Sequence, residues 1–201
     1  MSKLFIFDMG EVLILNVKTL PDIAREYNLD YDVLRSDYYL YNHALMEGWM
    51  TPDDYYRHME INFALGKISD NPFLKYFKPT LNEFMIEEIR ALKTSGHRVV
   101  VGSNTFAPHW DYILSTYPCF KEVFDSLYAS HLIHIAKPLP AFWRHIISLE
   151  GAKAEDTIFI DDRLENIESA KRLGITTFQY LRNDNEIKEF FSHYKFEGFE
   201  K

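Results

Sequence analysis

Hydrophobic positions fall along this chain in two alternating rhythms: short unbroken apolar runs, and longer stretches with apolar residues three or four apart. The runs are Lys3 to Phe7, Arg98 to Gly102, a weaker one at Ser126 to Ala129, Thr157 to Ile160, and Thr176 to Leu181. Continuous apolar runs of this length predict strands buried on both faces, as in a parallel sheet covered by helices. Helical signals lie between them. Thr80 and Glu83 have capping-box spacing, Ile86, Ile89 and Leu92 repeat on one face, and Gly96 closes the segment. Pro140 to Glu150 predicts a helix closed by Gly151, and Leu164 to Leu173 one ended by Gly174. A last helix from about Asn185 to Tyr194 leads into a polar tail. Strands alternating with helices in this way predict an α/β fold, a parallel sheet flanked by helices.

Residues 16–80 depart from that rhythm. They carry no strong strand signal and look helical, with a break at Gly48 and a restart at Thr51-Pro52-Asp53-Asp54. The restart combines an N-cap, a proline at the first helical position and an acid three residues on. This segment predicts a helical insertion above the sheet, with the core built from 1–15 and 81–201 and hinges near 15–17 and 79–82. Its aromatics, Tyr38, Tyr39, Tyr41, Trp49, Tyr55 and Tyr56, are expected to form mostly the insertion's own core, with Trp49 or Tyr41 reaching a pocket.

Composition narrows the class. At 201 residues the chain can bury one core with a subdomain, and 47% hydrophobic with 26% charged residues is ordinary for a folded domain. A formal net charge of -8 gives no reason to expect nucleic acid as a partner. An acidic protein that binds a small phosphate ester needs a local cation or a metal. Cys119 is the one cysteine, so no internal disulfide can form, and a packed side chain is expected there. No secretory signal or membrane-spanning run is visible, so the cytoplasm is the expected address. Oligomeric state has no signature in the sequence.

Four polar clusters stand where open α/β sheets place their chemistry, beside the carboxyl ends of strands. They are Asp8 after the first run, Ser103-Asn104 after the second, Lys137-Pro138 before a helix, and Asp161-Asp162 after a later run. Alone, each could be a helix cap or an ordinary loop residue. Together they provide a phosphoryl-transfer site. Asp8 can act as a carboxylate nucleophile, dividing hydrolysis into aspartyl-phosphate formation and its breakdown by water. Asp8 and Asp162 offer oxygen ligands of the kind Mg²⁺ takes. Ser103 can donate to a phosphoryl oxygen, and Lys137 can set a point charge on the same group.

Phe5-Ile6-Phe7-Asp8-Met9-Gly10-Glu11-Val12, Val99 to Thr105, Ala136-Lys137-Pro138-Leu139-Pro140-Ala141-Phe142, and Phe159 to Ile167 resemble, in order, the four motifs of the haloacid-dehalogenase-like hydrolases. The resemblance covers essentially the whole chain, with residues 16–80 in the place of that family's helical cap. It implies a Rossmann-like core and a mobile cap. It also implies Mg²⁺ held by Asp8, Asp162 and the carbonyl of Gly10, with Asp161 and Asn166 as outer support. Phosphate contacts would come from Met9, Gly10, Ser103, Asn104 and Lys137. The chain departs from the pattern at Gly10, where family phosphatases usually carry a second Asp; a subset similar to bacterial sugar-phosphate phosphatases has an Asp-x-Gly motif instead.

The function expected is therefore Mg²⁺-dependent hydrolysis of a small phosphorylated metabolite, with a sugar phosphate as the substrate class. A 2-haloacid dehalogenase also lacks the second acid, but needs no metal, against which Asp161-Asp162 speaks. A non-catalytic binder of phosphorylated ligands is the third reading. Glu11 is expected to face solvent, Arg25 and Arg35 to be solvated helix charges, and His131 and His134 to be loop or surface histidines, because a third ligand at suitable spacing is missing.

Overall fold

The strand β1 (Leu4–Phe7) lies at the centre of the molecule with every residue buried. It is followed by β2 (Ile14–Leu15), then by the helices α1 (Leu20–Glu26), α2 (Tyr31–Met46), α3 (Pro52–Asn62) and α4 (Pro72–Lys75). The chain returns through β3 (Thr80–Leu81), α5 (Glu83–Thr94) and β4 (Arg98–Ser103). Next come α6 (Ala107–Thr116), α7 (Cys119–Val123), β5 (Ser126–Ala129), α8 (Ser130–Ile133) and α9 (Pro140–Leu149). Finally β6 (Thr157–Asp161), α10 (Leu164–Lys171), β7 (Thr176–Gln179) and α11 (Asp184–Ser192) complete the fold. This computed structural model describes residues 2–195; the polar tail expected beyond Tyr194 lies almost wholly outside them.

The main sheet has the order β5-β4-β1-β6-β7 and all its strands are parallel. Phe5 pairs with Val99 on one side and Ile158 on the other, so the carboxyl ends of β1, β4 and β6 share one edge. Alternate residues serve opposite faces. Phe5, Phe7, Val99, Val101, Ile158 and Ile160 pack in one apolar cluster; Leu4, Ile6, Val100 and Phe159 pack in another with Phe142, Trp143 and Ile146 of α9. Burial on both faces is why these strands read as unbroken apolar runs. At Gly102 a Cβ would stand 2.8 Å from the Ile6 side chain, so glycine lets β4 pass close to β1 just before Ser103.

Helices α1 to α4 gather a third cluster around Ile23, Leu34, Leu45, Tyr55, Met59 and Phe73, to which Phe106 of the sheet side also belongs. Full burial of an aromatic such as Phe73 contributes on the order of 1.5–3 kcal/mol. The expected capping box is present at α3: Thr51 accepts from Asp54 N–H, and the Asp54 carboxylate accepts from Thr51 N–H. Gly48 takes a φ of +73° at the expected break after α2. One local expectation is corrected. The cap of α5 is Asn82, whose Oδ1 accepts from Met85 N–H, because Thr80 is drawn into β3. The two crossings between the sheet and α1–α4 are paired, Ile14 with Leu81 and Leu15 with Thr80, in a small antiparallel ribbon. Among the described residues no helix is long and apolar enough to cross a membrane.

Candidate active site

The strand register brings Asp8, Ser103 and Asp161 to one edge of the sheet, and the loop before α9 lays Lys137 across it. Lys137 is buried at 2% exposure, and its Nζ donates to Asp8 Oδ1 at 2.7 Å and Asp161 Oδ2 at 2.8 Å. It also lies over the rings of Phe142 and Phe159. Burial alone would depress the ammonium's pKa, but the Asp161 and Asp8 carboxylates outweigh it and hold the pKa above the ordinary value. Lys137 is therefore a fixed cation.

Asp8 follows β1, and its N–H is anchored on the Ile160 carbonyl at 2.9 Å. Burial raises its carboxyl to about 7, opposed by Lys137 and reinforced by the charges of Asp161 and Asp162. Asp162 is pushed up to about 6, by burial first and then by Asp161. One oxygen from each of Asp8, Asp161 and Asp162 lies within 4.8 Å of the others. Three carboxylates facing a single ammonium leave an excess of negative charge. The donor set is hard oxygen throughout, so the residues present fit a divalent cation such as Mg²⁺.

Asp161 is fully occupied by its neighbours. Its Oδ1 accepts from Arg163 N–H at 2.8 Å and Asn166 Nδ2 at 3.0 Å, while Oδ2 takes Lys137 and a second Asn166 contact. Asn166 is buried, and its Oδ1 has no partner among the described residues. Both residues of this pair are buried, Asp161 at 0% and Asn166 at 2% exposure.

Other expected residues have different surroundings. Asn104 holds the Lys137 backbone: Nδ2 donates to the Lys137 carbonyl and Oδ1 accepts from Lys137 N–H, both at 2.8 Å, leaving the second Nδ2 hydrogen uncommitted. Met9 buries its side chain in the core and gives its carbonyl to the N–H groups of Leu13 and Ile14, so any phosphate contact from it must come from its own N–H. Ser103 is buried at 2% exposure and, with Gly10, lines a cavity beside the acids.

Glu11 does not face solvent as expected. The turn after β1 puts it at a φ of +58°, where its carboxylate pairs with Arg182 and accepts from Val17 N–H. Trp49 and Tyr41 do not reach the pocket either. Trp49 stacks on His134 at 4.6 Å, and Tyr41 packs on Tyr55 and His58. His134 is an exposed residue after α8, as expected, and its Nδ1 donates to the Glu47 carbonyl at 2.7 Å, tying the end of α2 to the loop before Lys137.

Of the residues that close the pocket from above, Tyr38 and Tyr39 are expected from the sequence to serve the insertion's core, and Asn42, His43 and Met46 carry no sequence signal of their own. Tyr39, Asn42, His43 and Met46 of α2 line the cleft over Asp8, Lys137 and Asp162, and Tyr38 lines the adjoining cavity. Their spacing of three and four is one helix face, a signal visible in the sequence but silent about which way that face turns.

A family model described as haloacid dehalogenase-like hydrolase matches residues 2–174. The chain belongs to that family. Its stretch of similarity to sesquiterpene phosphatase astK of Aspergillus oryzae is 32% identical over 91 residues, 45% of this chain and 46% of that protein, so the match spans about half of the relative. A HAD-like family hydrolase structure from Porphyromonas gingivalis superposes with a TM-score of 0.80 at 21% identity, covering 96% of this chain and 98% of that one. A HAD family enzyme from Bacteroides thetaiotaomicron, solved in complex with magnesium and inorganic phosphate, gives a TM-score of 0.75 at 21% identity, covering 91% and 96%. The fold is thus the family's Rossmann-like α/β fold, as the motifs imply.

Proposed function

We propose that this chain is a Mg²⁺-dependent phosphatase that hydrolyses a small phosphate monoester through an aspartyl-phosphate at Asp8. The observation that carries this reading is Lys137, held between Asp8 and Asp161 with Asp162 within reach of both. Asp8 Oδ1 is tied to Lys137, while its other oxygen has no hydrogen bond among the described residues and is the one assigned to attack phosphorus. The new bond forms between that oxygen and phosphorus as the ester P–O bond breaks, and the leaving oxygen departs with the bonding electrons and takes its proton from water. Water then attacks the same phosphorus, releasing phosphate and restoring the Asp8 carboxylate. Lys137 and the Ser103 hydroxyl stabilise charge on the equatorial oxygens. A bound Mg²⁺, held by Asp8, Asp162 and the Gly10 carbonyl, would offset the repulsion between nucleophile and phosphate.

Residues 16–80 are assigned the role of a cap over the core of 1–15 and 81–201, opening and closing about the ribbon of β2 and β3. Two relatives, the sesquiterpene phosphatase and a GMP/IMP nucleotidase of Escherichia coli 25% identical over 155 residues, support phosphate ester chemistry. The dehalogenase reading is disfavoured by the acids, since that chemistry needs no metal and leaves the clustered Asp161 and Asp162 without a role. A hydrolysis screen over phosphorylated metabolites, with Mg²⁺ and then with a chelator, tests the reading. Release of phosphate that stops on chelation is expected; none from any ester, with Mg²⁺ present, would reject it.

A further inference from the structure

A second cavity of about 180 Å³ lies between the sheet side and α2, next to the acidic cleft. The two share Gly10, Val17, Met46 and Asn104, so a group leaving the phosphate site can pass directly into it. Ser103 lines the apolar cavity, and Asp8, Lys137 and Asp162 line the cleft. The rest of the wall is mainly apolar, with Leu20, Phe73, Phe77, Phe106 and Ile113, and Tyr38, Thr19 and Thr105 add the hydroxyls. No Asp, Glu, Lys or Arg lines it. Its one histidine, His109, stacks flat on Phe77 at 3.7 Å and has its Nε2 on the Phe73 carbonyl at 2.9 Å. Burial holds that imidazole down to about 4, so it is neutral at physiological pH.

Resting on the phosphatase reading, we infer that the substrate is the phosphate monoester of an apolar alcohol, with a hydrocarbon or single-ring portion seated in this cavity, and not a sugar phosphate. The size is right, because an apolar cavity of roughly 150 Å³ holds a benzene ring. The lining is right for the same reason that it is wrong for a sugar. A hexose would bring several hydroxyls against Phe73, Phe77 and Ile113, and each hydroxyl left without a partner costs binding. A second phosphate or a haloacid carboxylate would meet no cation there.

An alkyl phosphate series tests this, because the leaving alcohols differ little in acidity while their apolar length grows. The assay compares kcat/KM of the wild-type chain with Mg²⁺ on methyl to octyl phosphates, cyclohexyl phosphate and a hexose 6-phosphate. The value should rise roughly fourfold per methylene, then stop rising once the cavity is full, near six carbons. The hexose ester should fall well below cyclohexyl phosphate. Ile113→Trp, which fills the cavity, should flatten the series. A flat wild-type series, or a preferred hexose ester, overturns the inference but leaves the phosphatase reading intact. Failure to hydrolyse any ester removes the phosphatase reading and this inference with it. The wild-type series decides the matter even if the tryptophan variant fails to fold.

Discussion

Asn104 grips the main chain of Lys137 with both ends of its amide, donating to its carbonyl and accepting from its N–H at 2.8 Å each. The side chain of one strand-end residue thereby fixes the backbone of another loop 33 residues away. Lys137 Nζ can then reach Asp8 and Asp161 together. A long flexible lysine would otherwise lose substantial rotamer freedom to hold that position.

Asn104→Ala should therefore lower unfolding free energy by about 1–3 kcal/mol, the range for leaving buried polar groups unpaired. Turnover should fall more than stability alone explains. Asn104→Asp, which keeps the acceptor and loses the donor, should fall between. Urea denaturation and kcat measured on the same variants check this; a destabilised Asn104→Ala with wild-type kcat would mean that Asp8 and Asp161 position the lysine unaided.

Gly10 has room for a side chain. A Cβ there would meet only Val17 Cγ2 at 3.6 Å, an ordinary contact, and its φ is not in the left-handed region. Lacking an acid at this position, the wild type should favour leaving groups that depart without a proton, so rate should fall steeply as their pKa rises. Gly10→Asp should flatten that slope, with a gain on alkyl esters of up to roughly 10²–10⁴-fold. The check is a plot of log kcat/KM against leaving-group pKa for aryl and alkyl phosphates in both proteins. A flat wild-type plot contradicts the expectation.

Glu11→Gln tests whether the neighbouring acid has taken over that role. Its carboxylate is engaged by Arg182 and Val17 N–H, which hold the turn after β1. The variant should lose less than about tenfold in kcat and keep the wild-type leaving-group slope, where loss of a general acid would cost roughly 10²–10⁴-fold.

The acids give a pH signature. Asp8 lies at about 7 and Asp162 at about 6, both raised from the ordinary 3.8 mainly by burial. Between about pH 4 and pH 7 the metal-free folded protein thus binds more protons at these groups than the unfolded chain does, and stability falls as pH rises through that window. A cation favours the ionised carboxylates and reverses the penalty. Added Mg²⁺ should raise Tm little near pH 5 and clearly near pH 8, as measured by thermal denaturation with and without chelator. An equal rise at both pH values would argue that the acids are not its ligands.

Much of this arrangement was legible in the sequence because two-faced burial leaves unbroken apolar runs, and a polar residue ending such a run stands out. Asp8, Ser103 and Asp161-Asp162 were visible on that ground, and Lys137 by its place before a proline-led helix. What was not legible depends on distance in the chain. Glu11 and Arg182 are 171 residues apart, and no local pattern announces their pairing. Asn104's hold on Lys137 is similarly non-local. The two-residue strands β2 and β3 are too short to show a period. In α2 the aromatics were visible, but only tertiary packing sets the helix rotation that points Tyr38 and Met46 at the pocket and leaves Tyr41 against Tyr55.

The central claim, covalent catalysis by Asp8, is tested most directly by rapid acid quench of the Mg²⁺-loaded enzyme with a radiolabelled phosphate ester. Label should appear on the protein within one turnover, map to the peptide carrying Asp8, and be absent from Asp8→Asn, whose kcat should drop by about 10⁴-fold or more. Wild-type-like hydrolysis by Asp8→Asn, with no label on the wild-type peptide, would contradict the account.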